Sequence, residues 1–212
     1  MQGTSGDART LHLWSLAEDV SVEQDPRGDV LFLTSRWGRD RIDRPGPVVR
    51  EVLRRMELGP VLLGNAMSGV EDLCHHTLPV LARLSHLVVR TLGLDDLKGP
   101  LLSLLPASSS TTPLVLLRPF GERRIRLPQD VGFSVAEPGS GCVMEHDDCP
   151  YRVVLHRPEA AWVAMTLAWP TTLTAVSHAL PLPPKVTRDI VGYLAAASLV
   201  TPVHRAEDGE PA

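Results

Sequence analysis

Lysine is almost missing from this 212-residue chain: of 21 basic residues only Lys98 and Lys185 are lysine, which leaves 19 arginines. That skew points to a GC-rich bacterial genome more than to a chemistry. Aromatic residues are scarce as well, with four Trp, three Phe and two Tyr, and the formal net charge is −4. Phosphate recognition draws on a basic surface, and single-strand binding draws on stacked aromatics, so nucleic acid is not an expected partner. Three cysteines, Cys74, Cys142 and Cys149, are an odd number that gives no disulfide framework and suits a reducing compartment. No run of about 18 apolar residues is present to cross a bilayer, and polar Met1–Arg9 lacks the apolar segment of a signal peptide. These absences together lead to an expectation of a cytoplasmic protein with no membrane contact. What remains is an ordinary globular balance, 43% hydrophobic and 22% charged, long enough for one large domain or two small ones.

The pattern along the chain favours two similar units. Glu18–Gln24 alternates polar and apolar residues, Asp25-Pro-Arg-Gly28 supplies turn chemistry, and Asp29–Thr34 returns as the second arm of a hairpin. A third strand over Arg36–Ile42 leads into a helix from Val48 to Met56, with Pro47 at its start, where a missing N–H costs nothing. Ser68-Gly-Val-Glu71 reads as a capping box opening a second helix, and Thr77–Leu92 reads as a third. The order then recurs: strands at Leu127–Val135, Cys142–Glu145 and Tyr151–Leu155, followed by helices at Glu159–Trp169, Leu173–Leu180 and Lys185–Leu199. Glu137–Gly141 is the turn between the first two of those strands, and Pro106–Pro113 has the composition of a linker. The fold class expected is α+β: two tandem winged-helix-like units, residues 1–105 and 106–212, each a three-stranded antiparallel sheet plus three helices. Ala160–Ala168 is apolar nearly all round, which suits burial against the other unit and would also serve a homodimer.

Site chemistry is sparse. No phosphate loop, dinucleotide fingerprint, nucleophile elbow or zinc-protease helix is present, so no catalysis and no cofactor are expected. Cys142, His146 and Cys149, with His156 a few residues on, are the nearest approach to a zinc set, but their spacing is irregular, and small apolar cysteines are the simpler reading. Cys74, His75 and His76 are consecutive, so on a helix they diverge by about 100° per residue and cannot share one ligand. His86, His178 and the acidic trio Glu145, Asp147 and Asp148 read as solvated or capping groups, and the four tryptophans as core or interface anchors.

Binding without catalysis is available to such units. A sheet edge accepts an added strand through its free N–H and C=O groups, while a neighbouring helix supplies selective pockets. In the second half that groove is expected between Tyr151, Arg152, Val153, Val154 and Leu155 and the last helix, lined by Lys185, Arg188 and Tyr193. In the first half it is expected between Arg39–Ile42, Arg41 among them, and the third helix, which carries Arg83, His86 and Arg90. Both helices are cationic and would suit an acidic peptide; solvated arginine faces are the plainer alternative for each residue.

The run Leu127-Pro-Gln-Asp-Val131, followed by a hairpin, Arg157-Pro-Glu-Ala-Ala-Trp162, Pro170-Thr-Thr172 and the closing Ala195–Val200, resembles a PqqD-like domain, the RiPP recognition element. The chain as a whole is similar to the amino-terminal region of SagB-type azoline dehydrogenases, above all over Arg44–Met56, Leu58–Pro60, Leu84–Arg90 and Val154–Trp162. The resemblance implies winged-helix units that bind a leader peptide as a strand beside the third strand and third helix. It carries no flavin site, because the chain ends at Ala212 after the acidic stretch Ala206–Glu210. The expectation is therefore a freestanding, non-catalytic recognition or scaffold protein. It would take a precursor peptide and present it to modifying enzymes such as a cyclodehydratase, a dehydratase or an azoline dehydrogenase. A winged-helix DNA-binding regulator, or a non-catalytic partner subunit of a flavin-dependent azoline dehydrogenase, is the alternative.

Overall fold

A computed structural model describes residues 9–65, 73–116, 121–135 and 141–203. Within them, eleven strands and five α-helices form a mixed structure whose sheets are entirely antiparallel. The first strand, β1 (Thr10–Leu16), was not legible as a strand from the sequence pattern. A meander follows, β2 (Ser21–Gln24), β3 (Val30–Ser35) and β4 (Gly38–Asp43), with Leu31 and Leu33 turned into the core. Helix α1 (Pro47–Leu58) starts at the expected proline and buries Val49, Val52, Leu53 and Met56 on one face.

The chain departs from the expected third helix at Leu84. A π-helical turn, Leu73–Thr77, runs into the short helix α2 (Leu78–Arg83), then into a 3-10 turn, Ser85–Leu87, and the strand β5 (Val88–Leu94). Leucines at Leu81, Leu84 and Leu87 satisfy a helical repeat, but the run Val88-Val-Arg-Thr91 is rich in β-branched residues, whose stiff side chains fit a pleated sheet better. The leucine-rich stretch that follows is the return strand β6 (Pro100–Pro106), entered through a turn in which Leu97 and Gly99 take positive φ. Continuous apolar runs of this length belong to strands buried on both faces. The capping box at Ser68–Glu71 lies outside the described residues.

The second half follows its pattern closely. A short ribbon pairs β7 (Ile125–Arg126) with β11 (Thr201–Pro202). The strands β8 (Gly132–Val135), β9 (Cys142–Glu145) and β10 (Tyr151–Leu155) precede α3 (Pro158–Thr166), α4 (Leu173–Ala179) and α5 (Pro184–Ala196). Thr172 caps α4 as expected, its hydroxyl accepting from the Ala175 N–H at 3.1 Å.

The two halves share one six-stranded sheet, in the order β1-β5-β6-β10-β9-β8. Residues Leu102 to Pro106 of β6 pair with Leu155 to Tyr151 of β10, so the join between the halves is a full ladder of backbone bonds. Two apolar cores lie along this sheet. One is built on α1, α2 and the meander and ends at Val88; the other, from Leu92 onward, gathers β6, β10, α3 and α5. Packing therefore divides within β5, and β6 belongs with the second half. Among the described residues no helix is long and apolar enough to cross a membrane.

Candidate functional site

The groove expected in the second half has no open strand. β6 pairs with β10 along the whole of Tyr151–Leu155 and β9 pairs on the other side along Val153–Leu155, so the edge expected to take a peptide is already filled by β6. Tyr151, Val153 and Leu155 face the core at 3%, 0% and 2% exposure, while Arg152 pairs with Glu145 on the surface and Val154 is half-buried. Tyr193 is also buried: its ring stacks on His12, its hydroxyl lies 3.1 Å from His12 Nδ1, and burial pushes its phenol up to about 12. Lys185 donates to Thr10 Oγ1 and lies 3.5 Å from Asp189, so it ties α5 to β1. Arg188 stays exposed. The filled edge of β10 and the burial of Tyr193 have one cause: β1, β5 and β6 extend the sheet past β10 and cover the side where a ligand strand is expected.

The first half keeps the expected geometry at one place. Among the described residues β4 pairs only with β3, and no described strand lies on its other edge. Arg83 of α2 reaches across to donate to the Arg41 carbonyl oxygen at 3.2 Å, and His86 Nε2 lies 3.0 Å from Asp40 Oδ2. The Arg41 carbonyl thus points away from β3. In an antiparallel ladder N–H and C=O of one residue point the same way and alternate along the strand, so Arg39, Arg41 and Asp43 present their backbone groups outward. Beside this edge lies a groove of about 540 Å³, walled by Ile42, Asp43, Val48, Val49, His76 and Val80. Arg41 pairs with Asp43 at 2.7 Å, and Arg39 packs its guanidinium on Phe32 at 3.9 Å. Charged side chains of this kind keep an open edge from pairing with other chains at random.

Arg90 is the clearest misplacement. Expected on a helix face lining this groove, it lies on β5, only 6% exposed, with its guanidinium 3.4 Å from the centre of the Trp14 ring. Sequence spacing put it on the same face as Arg83, because both fit a helical repeat that ends before it.

Among the described residues no group of three metal-ligating side chains converges. The Cys142, His146 and Cys149 trio disperses: Cys149 is buried with its sulfur 3.6 Å from the Ser198 carbonyl, and His146 Nδ1 accepts from the Asp148 N–H. Burial pushes the Cys149 thiol up, helped by Asp148. His75 and His76 are exposed; the Cys74 side chain lies outside the described residues. Sequence reasoning missed one polar pair, Ser103 Oγ and His156 Nε2 at 2.9 Å, with Thr91 Oγ1 2.8 Å from the same hydroxyl. Nucleophilic catalysis also needs a group that orients the base, and among the described residues the bond to Ser103 is the one hydrogen bond of the His156 side chain; burial holds the His156 imidazole below its ordinary value.

One apolar surface faces outward. Trp162, Met165 and Trp169, spaced three and four residues apart on and just past α3, are 46%, 53% and 70% exposed. Their spacing places them along one stripe, while Ala160, Val163 and Ala164 face the core. Compared with known protein families and with curated proteins, the chain matches none of them.

Proposed function

We propose that this chain is a non-catalytic recognition protein that binds the leader segment of a ribosomally made precursor peptide by strand addition and presents it to modifying enzymes in the cytoplasm. It would consist of two tandem winged-helix-like, PqqD-like units, with the site on the first. The free outer edge of β4 beside α2 carries the reading. That edge offers backbone groups at Arg39, Arg41 and Asp43, and the adjoining groove offers an apolar wall of Ile42, Val49 and Val80. The second unit has the same strand order, but β6 already occupies the position of an added strand, so its contribution is the joint with the first unit. The exposed Trp162, Met165 and Trp169 stripe suits docking of a modifying enzyme, because aromatic and methionine side chains are enriched at interface cores.

Fluorescence-polarisation titration of labelled leader peptides encoded beside this gene tests the reading. Saturable binding is expected, and Arg41→Pro should weaken it at least tenfold, because proline removes an outward N–H and leaves the β3–β4 ladder intact. Val80→Asp, which places a charge in the groove, should do the same. Absence of saturable binding, alone or with the neighbouring enzymes present, refutes the proposal. Binding of upstream DNA that falls steeply with salt would favour a regulator instead.

A further inference from the structure

The cavity around Arg90 is independent of the β4 groove and lies on the other side of α2. Its lining comes from four parts of the chain: Trp14 of β1, Val88 and Arg90 of β5, Tyr151 of β10, and Leu78, Leu81, Ala82 and Ser85 of α2 and the turn after it. Pro113 and Leu114 close it as a strap. The strap is held from below, since Ser85 Oγ donates to the Thr111 carbonyl at 2.5 Å and Tyr151 Oη donates to the Thr112 carbonyl at 2.8 Å. A tract with the composition of a linker is thereby fixed over a hole.

Strand alternation puts Val88, Arg90 and Leu92 on one face of β5. Val88 belongs to one apolar core and Leu92 to the other, so a guanidinium stands at their junction. An arginine does not lose its proton in a protein, and a buried cation ordinarily faces a carboxylate. Among the described residues its neighbours are the Trp14 ring and the hydroxyls of Tyr193, with which it hydrogen-bonds, and Tyr151, and its Nε–H has no acceptor there. Both serine and tyrosine hydroxyls of the lining are spent on the strap, which leaves Arg90 as the buried lining residue with an unused donor. At about 190 Å³ the cavity is smaller than the roughly 300 Å³ at which cofactor and drug pockets begin, and apart from Arg90 and two committed hydroxyls its wall is apolar.

We infer that this cavity is a binding site for a carboxylate carried on a small apolar group, with Arg90 pairing the carboxylate and the leucines of α2 and the strap enclosing the apolar part. A short aliphatic acid has this chemistry, and so does the carboxyl terminus of a peptide ending in an aliphatic residue. Guanidinium and carboxylate match in shape and make paired charge-assisted bonds, which an amide or alcohol of equal size cannot reproduce.

Titration calorimetry on the full chain tests this with hexanoate, hexanamide, inorganic phosphate, and a pentapeptide ending in leucine as free acid and as amide. Hexanoate should bind saturably and raise the thermal midpoint, with hexanamide at least tenfold weaker; peptide acid binding above its amide would identify terminus capture, and hexanoate alone a free acid. Arg90→Met, close in length and uncharged, should lose hexanoate binding at least tenfold while remaining folded. Leu114→Trp keeps the arginine and fills the mouth, and should lose it too. No saturable hexanoate binding to the unaltered chain, equal binding of phosphate, or undiminished hexanoate binding by folded Arg90→Met overturns the inference.

Discussion

Arg157 joins the β5–β6 turn to the start of α3, and its removal should cost more than any surface ion pair. Its side chain is 10% exposed, and it bonds both oxygens of Asp96 at 3.0 and 2.9 Å and Glu159 at 2.5 Å. Arg157→Met strands two carboxylates that are themselves 29% and 23% exposed. A fully buried pair broken on one side costs about 3–5 kcal/mol, and an exposed one about 0–1 kcal/mol. Partial exposure places this network between the two, at about 2.5 kcal/mol, or about 5–10 °C in melting temperature for a chain of this size. Urea denaturation followed by circular dichroism measures it. Adding Asp96→Asn and Glu159→Gln to Arg157→Met should recover most of the loss, because no carboxylate is then left without its cation. The hydrogen bond from Arg157 is the main cause holding the Glu159 carboxyl below its ordinary 4.5. A depressed carboxylate stabilises the fold above its unfolded pKa and loses that contribution as pH falls through the folded one, so the gap between variant and parent should narrow below about pH 4. A single variant within about 0.5 kcal/mol of the parent, or a triple variant less stable than the single, refutes the reasoning.

Two further outcomes follow from burial. His12 and His156 are held below their ordinary 6.5, chiefly by burial, with Asp189 opposing the effect at His12. The unfolded chain therefore takes up protons there before the folded one does, and stability present above about pH 6.5 should fall as pH drops toward 5. His12→Gln with His156→Gln should flatten that fall in urea midpoints, and an unchanged slope would assign it to other groups. Gly141 has φ +95°, and a Cβ on it would run into the Leu155 carbonyl of β10. Gly141→Ala should destabilise by about 2–5 kcal/mol through left-handed strain and overpacking, read as a lower thermal midpoint; a midpoint shift under about 2 °C would show that β9 can move away.

Helices with strong local signals were readable from the chain. α1 has its proline at the start and its apolar stripe, α4 has Thr172, and α5 begins at the second of two consecutive prolines. The meander likewise follows from alternation and the Asp25–Gly28 turn. That Arg83 and the strand at Arg41 are neighbours is legible in the order of elements, and the structure has Arg83 donating to the Arg41 carbonyl. The position of Arg90 is not legible, because Leu81, Leu84 and Leu87 continue a helical spacing up to the point where β-branched residues take over.

Local periodicity and capping determined the meanders β2-β3-β4 and β8-β9-β10 and the helices α1, α3, α4 and α5, since those depend on residues a few positions apart. Partnership between β6 and β10 depends on residues about fifty positions apart, and an alternating or apolar strand carries no signal of which edge it will meet. That one pairing removed the expected peptide edge at Tyr151–Leu155 and buried Tyr193 beneath β1 and β5. The same sheet set Arg90 between two cores, with no carboxylate beside it among the described residues. The nearly lysine-free composition foretold that cations here would be guanidinium groups; only the sheet decided that one of them would be enclosed.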